Sequence, residues 1–528
     1  MIGPIRTPCD EGVVRGAAPT RGCAEAAQPW VLAATIVASS MAFIDGSVVN
    51  VALPSMQASL GAPVSQAQWI VNAYVLTLGA LILVGGAAGD RFGRRRVCNV
   101  GILLFTAASV ACGVAPNASA LIAARAAQGV GGALLVPSSL AIISASFSEQ
   151  ERGRAIGTWA AASALTTAIG PVLGGWLVDN YSWRAIFFVN VPLAILAMLL
   201  TVRWVPESRN EFDTGVDWRG GLLAVAGLGM VAYGLTAASN VGWAHASVLG
   251  SLVGGVAVLI LMLWSEAHAA SPMLPLALFR SSTFSGANAL TLLLYFAMGG
   301  EMFFLPFDLI DIQGYSATSA GAAFLPFSLA MAGLSRWSGG LNERYGARVL
   351  LIAGPIIVAI GLLLFALPTM GGSYWSTVFP AMTVWGLGMA LSVAPLTTTI
   401  MRAAGDRYAG AASGINNATA RIAGMLAVAL MGVVAVGVFR ATLDARLDHL
   451  QTPVSIRQAL QTEVQKLSEA QLPPDVDAAT RQTLQSALNA SFVVSFRVIT
   501  MIAAAAALLS AACAWLTIDR TPALRRRS

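Results

Sequence analysis

Three ionisable residues sit inside stretches otherwise too apolar for charge: Asp45 and Glu301, each in the outer half of a long hydrophobic run, and Arg125, about two helical turns inside another. An unpaired charge in hydrocarbon costs at least ~2.5 kcal/mol, so each must face a cavity or an opposite charge. A carboxyl group that alternates between water and a dehydrated pocket can take up and release a proton near physiological pH, which is the chemistry of proton coupling. Blander alternatives stand beside it: a helix-packing hydrogen bond for the acids, and a snorkel to the helix end for Arg125. Asp308 and Asp311 follow Glu301 near the outer end of the same run, where contact with water is expected, and Asp308 is a further coupling candidate. Arg421, in a later run, is expected to pair with one of the acids.

Other chemistries lack their residues. An ATP-driven pump needs a phosphate-cradling loop ending in Gly-Lys-Ser or Gly-Lys-Thr, and the only lysine, Lys466, follows Gln465. His245, His268 and His449 are far apart, and Cys9, Cys23, Cys98, Cys112 and Cys513 show no metal or disulfide spacing. No enzymatic activity, metal or cofactor is expected.

The elements that hold these charges must be membrane helices. With 56% hydrophobic residues, 11% charged residues and a mean hydropathy of +0.72, the chain belongs in a lipid bilayer. Apolar runs long enough to cross it fall near 30–54, 68–88, 98–116, 119–143, 154–177, 184–205, 218–239, 248–266, 284–308, 317–337, 348–367, 374–400, 411–438 and 490–516. An even count puts both termini on one side. Arginines crowd the alternate loops, from Arg91–Arg96 to the tail Arg525–Arg527, and make that side cytoplasmic. The net charge of +6 is therefore topology and not a nucleic-acid footprint. Residues 1–28 and 519–528 read as cytoplasmic tails.

The loop Gly86-Ala-Ala-Gly-Asp90-Arg91-Phe-Gly93-Arg94-Arg95-Arg96 returns, weakened, about 255 residues later as Gly339-Gly-Leu-Asn-Glu343-Arg344-Tyr-Gly346-Ala-Arg348, which implies a duplicated fold. The same offset carries Asp45 to within a turn of Glu301, so both halves hold an acid at matching depth. Gly129-Val-Gly131 echoes Gly386-Leu-Gly388, and Glu151-Arg152 echoes Asp406-Arg407.

These motifs resemble the major facilitator superfamily and, within it, the fourteen-span drug:proton antiporters of the multidrug efflux type. The first loop matches the superfamily's signature at Gly86, Asp90, Arg91, Gly93, Arg95 and Arg96. Ile44-Asp45 through Asn50 to Pro54 is similar to the first-span motif, with Ser47 where Thr is usual, and Arg125-Ala-Ala-Gln128-Gly129 to the fourth. Gly157 and Gly170-Pro171-Val-Leu-Gly174-Gly175 resemble the antiport helix, with Thr166 where glycine is the pattern. The resemblance implies an all-α integral membrane fold of two pseudo-symmetric six-helix bundles, 29–210 and 283–518, with two inserted helices in 211–282. It further implies a conformational latch at Gly86, Asp90, Arg91, Gly93 and Arg95, weakly repeated at Glu343 and Arg344.

A central cavity of amide and aromatic groups is expected from Asn50, Trp69, Asn72, Tyr74, Gln128, Asn288 and Tyr295. Segment 439–489, the one long outer loop, has an apolar pattern (Leu443, Leu447, Leu450, Ile456, Leu460, Val464, Leu467) that suggests short amphipathic helices. It reads as a solvated hairpin, a cap on the exit or a dock for a periplasmic adaptor. The expected function is proton-driven export of small amphiphilic drugs or metabolites, cationic or neutral. An importer or facilitator of the same fold, or the membrane subunit of an efflux complex, are the alternatives.

Overall fold

The computed structural model describes residues 27–209, 217–269, 274–367, 371–405, 409–473 and 476–518. The terminal tails, the Asp406-Arg407 echo and the side chain of Glu343 lie outside the described residues. Fourteen helices among those described are long and apolar enough to cross a membrane: α1 (Gln28–Leu60), α2 (Val64–Phe92), α3 (Arg94–Gly113), α4 (Ala118–Ser146), α5 (Glu151–Asn180), α6 (Ala185–Trp204), α7 (Trp218–Val241), α8 (Ala246–His268), α9 (Ser282–Ile312), α10 (Ala317–Leu334, its helix continuing to Tyr345), α11 (Ala347–Phe365), α12 (Val378–Ala404), α13 (Ala411–His449) and α14 (Ala478–Thr517). Each overlaps one expected run. Lipid offers no partner for backbone N–H and C=O groups, so each span satisfies its own as a helix. Asn117, Asp217 and Asp477 cap the starts of α4, α7 and α14, and hydrogen bonds from Thr480 hold the exposed Asp477 carboxyl below the usual range.

Glycine decides which helices touch. On α4, a Cβ at Gly129 would sit 2.1 Å from Thr77 Oγ1 and 2.4 Å from the Tyr74 carbonyl of α2, and one at Gly131 would sit 2.5 Å from the Phe105 nitrogen of α3. On α12, Gly386 meets Phe327 of α10 in the same way, and a Cβ at Gly388 would sit 2.5 Å from the Val358 nitrogen of α11. The repeat in the sequence is thus a repeat in packing: α2, α3 and α4 correspond to α10, α11 and α12. The first six spans form one bundle and the last six the other. Between them, α7 packs against α2 and α13, while α8 packs on α7 and turns Val253, Ile260 and Trp264 outward.

The segment 439–489 is largely helical and exposed along one side, as the amphipathic pattern suggested, but it is not one long loop. Its first part is the end of α13 and its last part the start of α14, so only 450–477 connects them. That connection holds the helix Val454–Glu463 and a tight turn Val464–Glu469. Leu443, Leu447, Leu460, Val464 and Leu467 are buried while Leu450 is exposed, because the apolar stripe is spent against the protein's own end. Gln57 at the end of α1 donates to the Lys466 carbonyl (2.9 Å), and Ser468 donates to Asp311 of α9 (2.7 Å), so the segment spans both halves. Asp308 and Asp311 consequently do not stand in open water: Asp308 is buried, and Asp311 is covered by the segment. Burial pushes the Glu469 carboxyl up, with its hydrogen bond to Asp311 and the charge of Lys466 opposing.

Packing of this kind predicts unequal tolerance. Gly129→Ala should lower thermal stability in detergent by about 1–3 kcal/mol through overpacking against backbone. Gly157→Ala, with nothing within 4 Å of the added carbon, should leave it unchanged. Equal melting shifts in the two variants would refute this account.

Candidate functional site

Between the halves lies a cavity of about 320 Å³ walled by α1, α2, α4, α5, α9, α10 and α13. Its surface is mostly apolar, with Phe303, Phe327, Met298, Met302 and Met425 prominent. Of the expected polar lining, Asn50, Asn72, Tyr74 and Tyr295 are present. Trp69, Gln128 and Asn288 are not. Trp69 packs with Leu76, Leu228 and Met425 under the inserted pair, Gln128 turns into the first half, and Asn288 donates to the Phe284 carbonyl of its own helix (2.9 Å).

Gln128 turns inward because of Asp45. Arg125 Nη1 donates to Asp45 Oδ2 and to Gln128 Oε1 (2.7 Å), while Gln128 Nε2 donates to Asp45 Oδ1 (2.8 Å). Arg125 Nε donates to the Ile70 carbonyl (3.1 Å), and its guanidinium lies 4.2 Å from the centre of the Tyr74 ring. Behind Gln128, Ser109 accepts from Asn190 (2.9 Å) and donates to the Phe187 carbonyl (2.8 Å). Asp45 and Arg125 are 0% and 1% exposed, so the arginine does not snorkel; it is answered by a carboxylate on α1. Its other side forms part of the cavity wall.

The second half is built differently. Glu301 on α9 is fully buried and points toward α14, where Thr500 Oγ1 donates to its Oε2 (3.2 Å); its Oε1 has no partner. Arg421 on α13 lines the cavity, its stem held against Gly79 of α2, whose added Cβ would be 3.1 Å away. The expected pairing of Arg421 with an acid is not found among the described residues, since Glu301 faces the opposite side of α9 and Asp45 is already taken.

The two ends of the cavity are unlike. At the end carrying the 450–477 segment, α5 and α10 close tightly: a Cβ at Gly175 would be 2.1 Å from the Ala317 carbonyl, and one at Gly321 would be 2.0 Å from the Pro171 carbonyl. Asp179, which the sequence did not single out, accepts from the Ala317 and Thr318 nitrogens (3.1 and 2.8 Å) and the Thr318 hydroxyl (2.5 Å). Gly170 and Gly174 of α5 press on Ser47 and Val48 of α1, next to Asp45. Toward the basic end, Gly157 of α5 and Gly333 of α10 have nothing within 4 Å.

Comparison with known proteins matches this arrangement. Residues 35–428 match the Major Facilitator Superfamily. The chain belongs to that superfamily. It is 36% identical over 422 residues to the "Multidrug resistance protein Stp" of Mycobacterium tuberculosis (strain CDC 1551 / Oshkosh), covering 80% of this chain and 78% of that protein. It is 30% identical over 504 residues to the "Tetracenomycin C resistance and export protein" of Streptomyces glaucescens, covering 94% and 93%. The inward-facing, unoccupied crystal structure of a bacterial homolog to the human lysosomal transporter Spinster shares the fold, with a TM-score of 0.63 at 15% identity over 94% of this chain and 100% of that one. This major facilitator protein is accordingly a multi-pass plasma-membrane transporter of small molecules.

In this major facilitator chain, the signature loop joins α2 to α3. Asp90 accepts from Arg94 (2.7 Å) across the turn, and Gly86 packs near Pro137 of α4. Gly93 has φ +106°, a conformation that suits glycine, and a Cβ there would strike Glu207 Oε1 at 2.6 Å. Glu207, just beyond α6, was not evident from the sequence. It accepts from the Arg95 nitrogen (3.1 Å) and lies 3.8 and 3.6 Å from the Nε atoms of Arg95 and Arg96, while Arg95 also donates to the Val205 carbonyl (3.1 Å). Arg91 stacks over Phe92 and Arg344 over Tyr345. These contacts of Asp90, Gly93 and Arg95 all stay within the first half.

Breaking the buried pair on one side should be worse than removing it. Arg125→Leu should destabilise the detergent-purified protein by about 3–5 kcal/mol, because Asp45 is left charged and unanswered. Adding Asp45→Asn to it should recover part of the loss. A double variant melting as low as or lower than the single one would show that the pair is not the source of the stability.

Proposed function

We propose that this protein exports small amphiphilic molecules in exchange for protons, its halves rocking about the cavity in alternating access. The observation that carries this reading is the placement of Arg125, held by Asp45 on one side and forming cavity wall on the other. A proton on Asp45 removes the charge that holds the guanidinium, so proton uptake and the shape of the wall change together. Glu301, with no cation paired to it among the described residues, is the second site of proton uptake, and Asp308 lies on the same helix nearer the loop end.

Other features support the same reading. The helix that resembles an antiport motif, α5, abuts α1 beside Asp45 and also forms the seal with α10, so a change at Asp45 is felt at the closure. The Streptomyces relative is a resistance and export protein, and the Mycobacterium one a multidrug resistance protein. Arginine distribution assigns the basic end and both termini to the cytoplasm. With that orientation the tight α5–α10 closure lies on the side away from the cytoplasm, as a state that loads cargo for export requires. The inward-turned apolar stripe of 439–489 favours a stand-alone carrier over a subunit that docks an adaptor through that segment. The domains follow as 29–210, the inserted 211–282, and 283–518.

Asp45→Asn and Glu301→Gln preserve shape but cannot exchange a proton. In acid-loaded inverted vesicles each should lose proton-driven drug accumulation, while at least one keeps equilibrium drug binding. Parental pumping with unchanged pH dependence in both variants, separately and together, would sink the proposal.

Asp90→Asn removes the charge contact between α2 and α3 and should cut transport strongly while leaving membrane insertion intact. Normal transport by a normally inserted variant would reduce this loop to a topology signal.

A further inference from the structure

We infer that the cavity takes an organic anion: an amphiphile whose apolar body carries an ionised carboxylate, held against Arg421. The inference rests on the cavity being the cargo site, as proposed above, but not on the direction or energy source of transport.

Two guanidiniums line the cavity and only one is answered. Asp45 neutralises Arg125. Among the described residues, nothing hydrogen-bonds to Arg421, stacks on it or pairs with it, and its Nε is buried without a partner. Glu301 cannot serve, because its carboxyl points to Thr500 and does not line the cavity. The walls therefore carry one net positive charge in a low-dielectric space, where an uncompensated cation is costly and a bound anion gains in proportion.

The remaining polar groups agree. Asn72 is fully buried with neither Oδ1 nor Nδ2 bonded, so its amide can donate to an acid oxygen that Arg421 holds. Tyr295 lines the same space with no protein partner for its hydroxyl among the described residues. Donors dominate. A guanidinium binds a carboxylate through two parallel hydrogen bonds, and these charge-assisted bonds are about twice as strong as neutral ones. Phe303, Phe327 and the methionines suit an apolar, planar body. A cationic amphiphile, one of the cargoes expected from the sequence, would meet Arg421 as a like charge. With an acid bound, both guanidiniums are answered and the filled cavity is neutral.

The test is equilibrium binding to the purified full-length protein, with no gradient applied, using pyrenebutyrate and its methyl ester as a matched pair. The acid should bind at least about tenfold tighter than the ester, within the range of one charge-assisted contact. Arg421→Gln should bring the acid down to the ester's level and leave the ester unmoved. Arg421→Lys should fall between, keeping charge but losing the planar fork. Should the Gln variant fail to fold, the native protein still decides: its preference must vanish as the probe's own carboxyl is protonated, while ester binding stays flat. An acid that binds no better than its ester, including one that does not bind, overturns the inference, as does a preference that survives in Arg421→Gln. Selective acid binding by a protein that does not pump protons against drug would keep this inference and sink the export reading alone.

Discussion

A guanidinium buried among apolar membrane helices has to be answered, and the first half of this protein is arranged around the answer. Asp45 supplies the countercharge from α1, Ile70 a carbonyl from α2, and Gln128 an amide that binds both partners of the pair. Ser109 and Asn190 extend the network to α3 and α6. Five of the six helices are thereby tied to one charge pair, with Tyr74 covering its face. Such a network fixes position more than it adds stability, since desolvating two charges offsets much of their attraction.

Small residues make the network reachable. Helices in lipid gain no hydrophobic drive toward each other, so association depends on how closely backbones approach. Glycines at 129 and 131 let α4 lie against α2 and α3 closely enough for Arg125 to reach Ile70 and Asp45. In the second half the same scaffold recurs at 386 and 388 without the same charges, and Glu301 is met only by a hydroxyl. The duplication was kept in packing and abandoned in electrostatics, which gives two similar bundles unlike chemistry.

Much of this was legible in the sequence, and for reasons that can be named. Span positions follow from apolar length, and the glycine pairs follow from the repeat, because both are local properties. Asp45, Arg125 and Glu301 stood out because charge in an apolar run is rare. Partners were not legible. The pairing of Arg125 with Asp45, the orphaning of Arg421 and the contact of Glu207 with Gly93 all depend on which faces of distant helices meet. The segment 439–489 misled for another reason: polarity marks where a helix leaves lipid, not where it ends, and α13 and α14 both continue past that point.

That continuation has a mechanical consequence. The connection between α13 and α14 is fastened to α1 through Gln57 and to α9 through Asp311, one anchor on each half. Parting the halves at that end requires a fastening to release or the connection to let out slack. Leu467, at φ +53°, holds a positive-φ backbone that is uncommon for a residue other than glycine. The segment thus acts as a travel stop: its length and its two fastenings set how far the carrier can swing open on that side, and the opposite end, which has no such strap among the described residues, swings without it.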